Sequence, residues 1–156
     1  NGIALLRDEG LAANPGSARL HQELAWIFLH KLGTDSDSAA AYYRQQLAAE
    51  VDSGAVHLDP ARVRQIENAF GPLDWRTPQA QAIYWAMAGL PFARTGFDDL
   101  ALRRTIYQAL LQRIALGDRQ YLAPATAFVQ DVVRRHPGLA GPENVLRQLQ
   151  ETKQSN

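Results

Sequence analysis

Four histidines, 16 acidic side chains and no cysteine set the chemistry this 156-residue chain can attempt. A metal site needs ligands converging on one point at about 2 Å. Glu23 and His30 share a helix face but stand seven residues apart, which is ~10 Å along a helix axis and too far for one ion. No His-Glu-x-x-His pair occurs among His21, His30, His57 and His136. His57 lies beside a helix start where Asp59 already has a capping task, and His136 falls in a last helical turn, where a cation suits the helix dipole. The lack of cysteine excludes disulfides, thiolate zinc sites and thiol catalysis. The run Thr34-Asp35-Ser36-Asp37-Ser38 invites a calcium-loop reading, but such a loop needs glycine at its sixth position and glutamate at its twelfth. Counted from Asp35, those positions are Ala40 and Gln46, so the run reads as the cap of a helix. No nucleophile elbow, phosphate loop or dinucleotide fingerprint is present. The sequence therefore assigns no catalytic residue, no metal and no cofactor. A catalytic or accessory domain built from scattered carboxylates and histidines is the alternative, because sequence does not show which acids meet in space.

Other residues suit binding better than chemistry. Asp74-Trp75-Arg76-Thr77-Pro78 sets a tryptophan beside an arginine in a loop, the residue mix of binding hot spots. The competing account has Trp75 plugging the core while Asp74 and Arg76 pair. Tyr84 and Trp85 are neighbours on a helix, so one faces inward and the other lies at an edge.

These side chains must be held by helices. Apolar spacing near 3.6 recurs almost throughout, and no stretch alternates with period two. The spacing predicts eight helices, at 3–13, 17–32, 37–51, 60–70, 78–90, 98–116, 124–136 and 142–152. Ser17, Asp59 and Thr77 are N-caps, the last two followed by an N1 proline, and Asp98 is placed as the cap of the sixth helix. Asn14-Pro15-Gly16, Gly33, Gly71-Pro72, Gly117 and Pro137-Gly138 are stops. Core faces are expected at Leu20, Leu24, Ile27 and Phe28; at Ala39, Tyr43 and Leu47; at Leu102, Ile106, Ala109 and Leu110; and at Ala125, Phe128, Val129 and Val132. The loop from Gly71 to Thr77 can separate halves at 1–70 and 78–152, but it is too short for a free linker, so 1–156 reads as one all-α domain.

Composition narrows the function classes. Apolar residues make up 46% and charged residues 21%, ordinary for a folded domain. Lys plus Arg and Asp plus Glu each number 16, so the basic excess of a nucleic-acid binder is missing. The pairs Arg103-Arg104 and Arg134-Arg135 read as solvated helix faces. No apolar run approaches the ~20 residues that span a bilayer, and no signal peptide is visible. The chain begins at Asn1 rather than Met, so an upstream segment is expected, and a targeting or membrane-tethering signal could sit there.

The most specific pattern is one of small and large residues before proline. Ala125, Val129, Val132 and Pro137 follow it, as do Ile3, Arg7, Gly10 and Pro15 more loosely. After Pro15 come Leu24, Ala25 and Phe28, then Ala39 and Tyr43 two residues late. A further hairpin over 78–90 and 98–116 keeps Trp85-Ala86 but has Gly89 where an aromatic belongs. On these positions the chain resembles a degenerate tetratricopeptide-repeat protein, whose ~34-residue helix hairpins stack into an α-solenoid. The match is good over 3–47, fair over 124–146 and poor between; an irregular helical bundle is the alternative. NPGSARLHQELAWIFLHKLG and LDWRTPQAQAIYWAMAGL are also similar to segments of longer bacterial proteins of this type, which implies the carboxy-terminal part of a longer solenoid. The resemblance implies a scaffold that binds a protein or peptide and carries no chemistry. In such a solenoid the first helix of each pair lines the concave side, which points to Arg19, Gln22, Trp26, Leu29 and His30, with Trp26 as anchor. Trp75 and Arg76 are the second candidate surface.

Overall fold

The computed structural model describes residues 5–32 and 38–155, and the described residues form helices with no strand. Helix α1 is a π-helical stretch, Leu5–Gly10, running into Leu11–Ala13. Helix α2, Ala18–Ile27, ends in a π-helical turn, Phe28–Leu32. Helices α3, Ser38–Asp52, and α4, Pro60–Phe70, follow. Helix α5, Pro78–Gly89, tightens into a 3-10 turn, Leu90–Phe92. Helix α6 is Gly96–Ala115; a 3-10 turn, Arg119–Tyr121, leads into α7, Leu122–Arg135; and α8 is Ala140–Gln154. The expected stop at Gly33, the frame position Ile3 and the acidic run 34–37 lie outside the described residues.

Local chemistry sets most of the boundaries. The side chains of Ser17, Asp59 and Thr77 accept from the backbone N–H groups of Leu20, Ala61 and Ala80. Each satisfies a helical donor that has no partner within its helix. The cap of α6 is a correction. Thr95, not Asp98, stands in the extended conformation before the helix, and its hydroxyl accepts from the N–H of Asp98 at 3.0 Å. Asp98 instead sits in the first turn, where its charge suits the dipole. At the other end of α6, Gly117 adopts a φ of 111°, which closes the helix as a side chain with a Cβ would not.

Helix α5 lies at the centre. Ala80, Ala82, Ile83, Tyr84, Ala86 and Ala88 are buried, and so are Gln79 and Gln81. A helix covered on every side needs neighbours on every side, and α5 packs chiefly against α2 and α6, with α4 beside it. Helix α3 meets the molecule mainly at the π turn of α2, and α8 closes against α7. Buried side chains from Leu11 to Leu149 belong to one cluster. Leu24, Phe28 and Ile106, expected in the core, are buried. Phe128 is half-buried, edge-on to Phe70 with ring centroids 5.5 Å apart.

The face expected for α3 is also corrected. Ala40 and Leu47 are buried, whereas Ala39 is exposed and Tyr43 is 44% exposed. The inner stripe is Ala40, Arg44, Leu47 and Val51: Leu47 is buried as expected, and Ala39 and Tyr43 give way to the residues that follow them. Arg44 belongs to it because Nη1 donates to the Leu32 carbonyl at 2.8 Å. The Leu29 carbonyl accepts from Gln112 Nε2 on α6 at 3.3 Å. The last carbonyls of a helix have no partner within it, and side chains from two other helices supply them here.

Helices α2 and α5 approach closely at one point. A Cβ built on Gly89 would lie 2.6 Å from His21 Cβ, so glycine here is a packing requirement. Neither atom is the end of a flexible chain, so relief needs backbone movement. Gly89→Ala is expected to cost about 1–3 kcal/mol by overpacking, read as a lower denaturation midpoint. A loss under ~0.5 kcal/mol, the surface range, would mean the two helices are free to separate.

His21 at that contact has a consequence for pH. It is buried, its Nδ1 donates to the Ser17 carbonyl at 2.7 Å, and its ring stacks on Phe92 at 5.8 Å. Burial, aided by the Arg62 charge and opposed by the Ser17 bond, holds its pKa below the usual 6.5. The folded state thus favours the neutral ring. Its stability contribution is complete above the ordinary histidine value and falls as acidification protonates the unfolded chain first, levelling off below the folded pKa. The urea midpoint should drop between about pH 7.5 and pH 5, and His21→Gln should flatten that slope whatever its effect on the midpoint itself. An unchanged slope would show that His21 is not the group responsible.

Candidate functional site

The Ser17 cap fixes where α2 begins and therefore which residues it turns outward. Arg19, Gln22, Glu23, Trp26 and His30 recur at three- and four-residue spacing along one side. Helix α6 runs beside this face, tied to it by the Gln22 amide, which donates to the Thr105 hydroxyl at 3.1 Å. One cleft opens along the seam and a second on α2 beside it. The first, of about 390 Å³, is lined by Ala18, Arg19 and Gln22 of α2 and by Phe97, Asp98, Ala101 and Leu102 of α6. The other, of about 330 Å³, is lined by Gln22, Glu23, Trp26 and Ile27. Gln22 belongs to both, so the clefts adjoin.

Trp26 is 43% exposed, and its indole is steadied by the His30 ring, stacked 4.5 Å away at 22°. Arg19 is almost fully solvated and pairs with Glu23 one turn on, at 3.2 Å. Such a surface pair adds ~0–1 kcal/mol to folding, so these charges are free to exchange partners. Phe97 is 82% exposed, a large apolar ring held in water at the edge of the first cleft. Its place is not legible from side-chain type, since Asp98 is as good a capping residue as Thr95. With Thr95 as the cap, Phe97 falls in the first turn of α6, off the Leu102, Ile106 and Leu110 stripe.

Four of the five predicted α2 residues share this surface, and Leu29 does not. Leu29 is fully buried, and its backbone carbonyl is bonded to Gln112. Helix α2 is covered on two sides, by α5 and α6, so Leu29 joins Leu24, Ala25 and Phe28 in the core.

The second predicted surface lies apart from these clefts. Trp75 is half-buried, edge-on to Tyr84 with centroids 6.1 Å apart, and its carbonyl accepts from Gln81 at 2.9 Å. Arg76 turns back on Asp74 at 3.0 Å. The loop is thus folded on itself, as the competing account expected, with Tyr84 inward and Trp85 at the edge. Beside it a polar cleft of about 400 Å³ holds Asp74, Thr77, Arg113, Asp118 and Tyr121. The Arg76 hydrogen bond outweighs burial and holds Asp74 below the usual carboxylate range, while Asp118 is bonded to Arg113 at 2.7 Å.

A third polar group joins α6 and α7. His136 Nε2 lies 2.7 Å from Asp99, which also accepts from Arg103 at 2.8 Å. Asp131 accepts from Arg135 at 2.7 Å. Burial pushes both carboxyls up, but the hydrogen bonds from Arg103 and His136 to Asp99, and from Arg135 to Asp131, prevail and hold them low. Among the described residues, no three His, Cys, Asp or Glu side chains converge to hold a metal ion, and no helix is long and apolar enough to cross a membrane.

Comparison with known proteins adds no assignment: no family model, no curated protein and no solved structure matches the chain.

Proposed function

We propose that the chain is a protein-interaction module whose docking surface is the α2–α6 seam around Trp26. One observation carries this reading: two aromatic side chains, Trp26 and Phe97, stand exposed on one face beside adjoining clefts. Exposed apolar groups that cluster rather than scatter mark interaction sites, and tryptophan is the most enriched hot-spot residue. The helical scaffold in this reading is the irregular bundle rather than stacked tetratricopeptide-like hairpins. The preference rests on α2, which packs on α5 across two intervening elements instead of chiefly on its neighbour α3.

A general acid must keep its proton near neutral pH, one of the roles the catalytic alternative would need filled. Asp74, Asp99 and Asp131 are all displaced the other way by arginine or histidine partners. These acids suit ion-pair scaffolding.

Co-purification tests the proposal. Full-length protein is used as bait in parent, Trp26→Ala and Trp75→Ala forms. The expected result is a specific partner retained by parent and Trp75→Ala and lost by Trp26→Ala. Loss with Trp75→Ala alone would move the surface to the 74–77 loop.

A further inference from the structure

We propose that the α2–α6 face receives a second copy of this chain, the two copies being related by a two-fold axis; the inference rests on the reading of that face as a docking surface. In a two-fold interface the same patch meets itself, so projection and recess must both lie on it. Here they do. Phe97 projects almost fully solvated at a cleft also lined by Ala18, Ala101 and Leu102, and the adjoining cleft is lined by Trp26 and Ile27. In the proposed dimer each Phe97 ring enters a recess of the other copy.

Charge points to the same occupant. Arg19 and Glu23 stand one turn apart on α2 with opposite sign and solvated heads. When two α2 helices meet antiparallel, Arg19 of each faces Glu23 of the other. The patch therefore complements itself, whereas a strongly acidic or basic partner would meet cancelling charges. The formal net charge of the chain is zero, so two copies approach without overall repulsion. A stable interface takes about 800 Å² from each partner. Whole aromatic side chains bury about 150–250 Å² apiece, so Trp26 and Phe97, both partly open, supply a share of that area and not all of it. The association is accordingly weak and concentration-dependent.

Sedimentation velocity of the full chain across the micromolar range tests this. The expected mass climbs from one chain to two with concentration. Phe97→Glu stays at one chain mass with an unchanged melting temperature, since the ring is solvated. Arg19→Glu and Glu23→Arg each self-associate less than the parent, because each sets like charges face to face. Mixing those two variants restores a two-chain species, now a heterodimer. A single-chain mass at every concentration overturns the proposal, as does a dimer indifferent to Phe97→Glu. If the parent stays single while a co-purifying partner is still lost on Trp26→Ala, the two-fold dimer is wrong and the docking reading stands. If neither occurs, both are wrong.

Discussion

Leu24→Ala is expected to lower the unfolding free energy by about 2–5 kcal/mol, while Tyr43→Ala changes it by under about 0.5 kcal/mol. Both residues fall on the stripes that helical periodicity marks as core. Leu24 lies on the side of α2 that α5 covers, and no part of it reaches solvent. Removing its outer carbons loses their burial and leaves a cavity that close-packed neighbours refill only in part. Tyr43 is 44% exposed on a helix held mainly through its contact with the π turn of α2, and its ring leans edge-on against Tyr42, itself exposed. Chemical denaturation of both variants under one set of conditions reads the difference. Equal losses would mean that α3 docks with Tyr43 inward and that Ala40 and Arg44 are misassigned to the inner stripe.

The contrast between these residues shows where the sequence is informative. Caps act within four residues, so Ser17 is legible from side-chain type alone, and Asp59 and Thr77 from side-chain type and the following proline. Thr95 and Asp98 are both good capping residues three positions apart; the choice depends on backbone conformation, which side-chain type leaves open. Faces are harder, since a 3.6 period marks a stripe but not its neighbour. Leu29 lies three residues on from Trp26, yet Leu29 is covered by the core and Trp26 meets water. Gly89 is the clearest case. In sequence it is a defect in the repeat frame, and in the fold it is where His21 of α2 needs the space of a side chain. That contact links residues 68 positions apart, and nothing local announces it. Of the candidate site, Arg19, Gln22, Trp26 and His30 were readable as one face of one helix. Phe97 was not, because its nearness to them depends on how α6 lies against α2.

The most direct test of the docking surface is the affinity of the isolated partner, or of the second copy, for parent and Trp26→Ala protein. Trp26→Ala is expected to weaken binding by at least about 2 kcal/mol, because an anchoring tryptophan is desolvated on both faces only in the complex. That is roughly thirtyfold in the dissociation constant. Trp26 is open to solvent along one side and stacks on His30, so its loss should leave the fold intact. Titration calorimetry, with melting temperatures taken on the same samples, separates the two effects. The account predicts a thirtyfold or greater weakening with a melting temperature within a few degrees of the parent. Unchanged affinity in a variant that remains folded would contradict it.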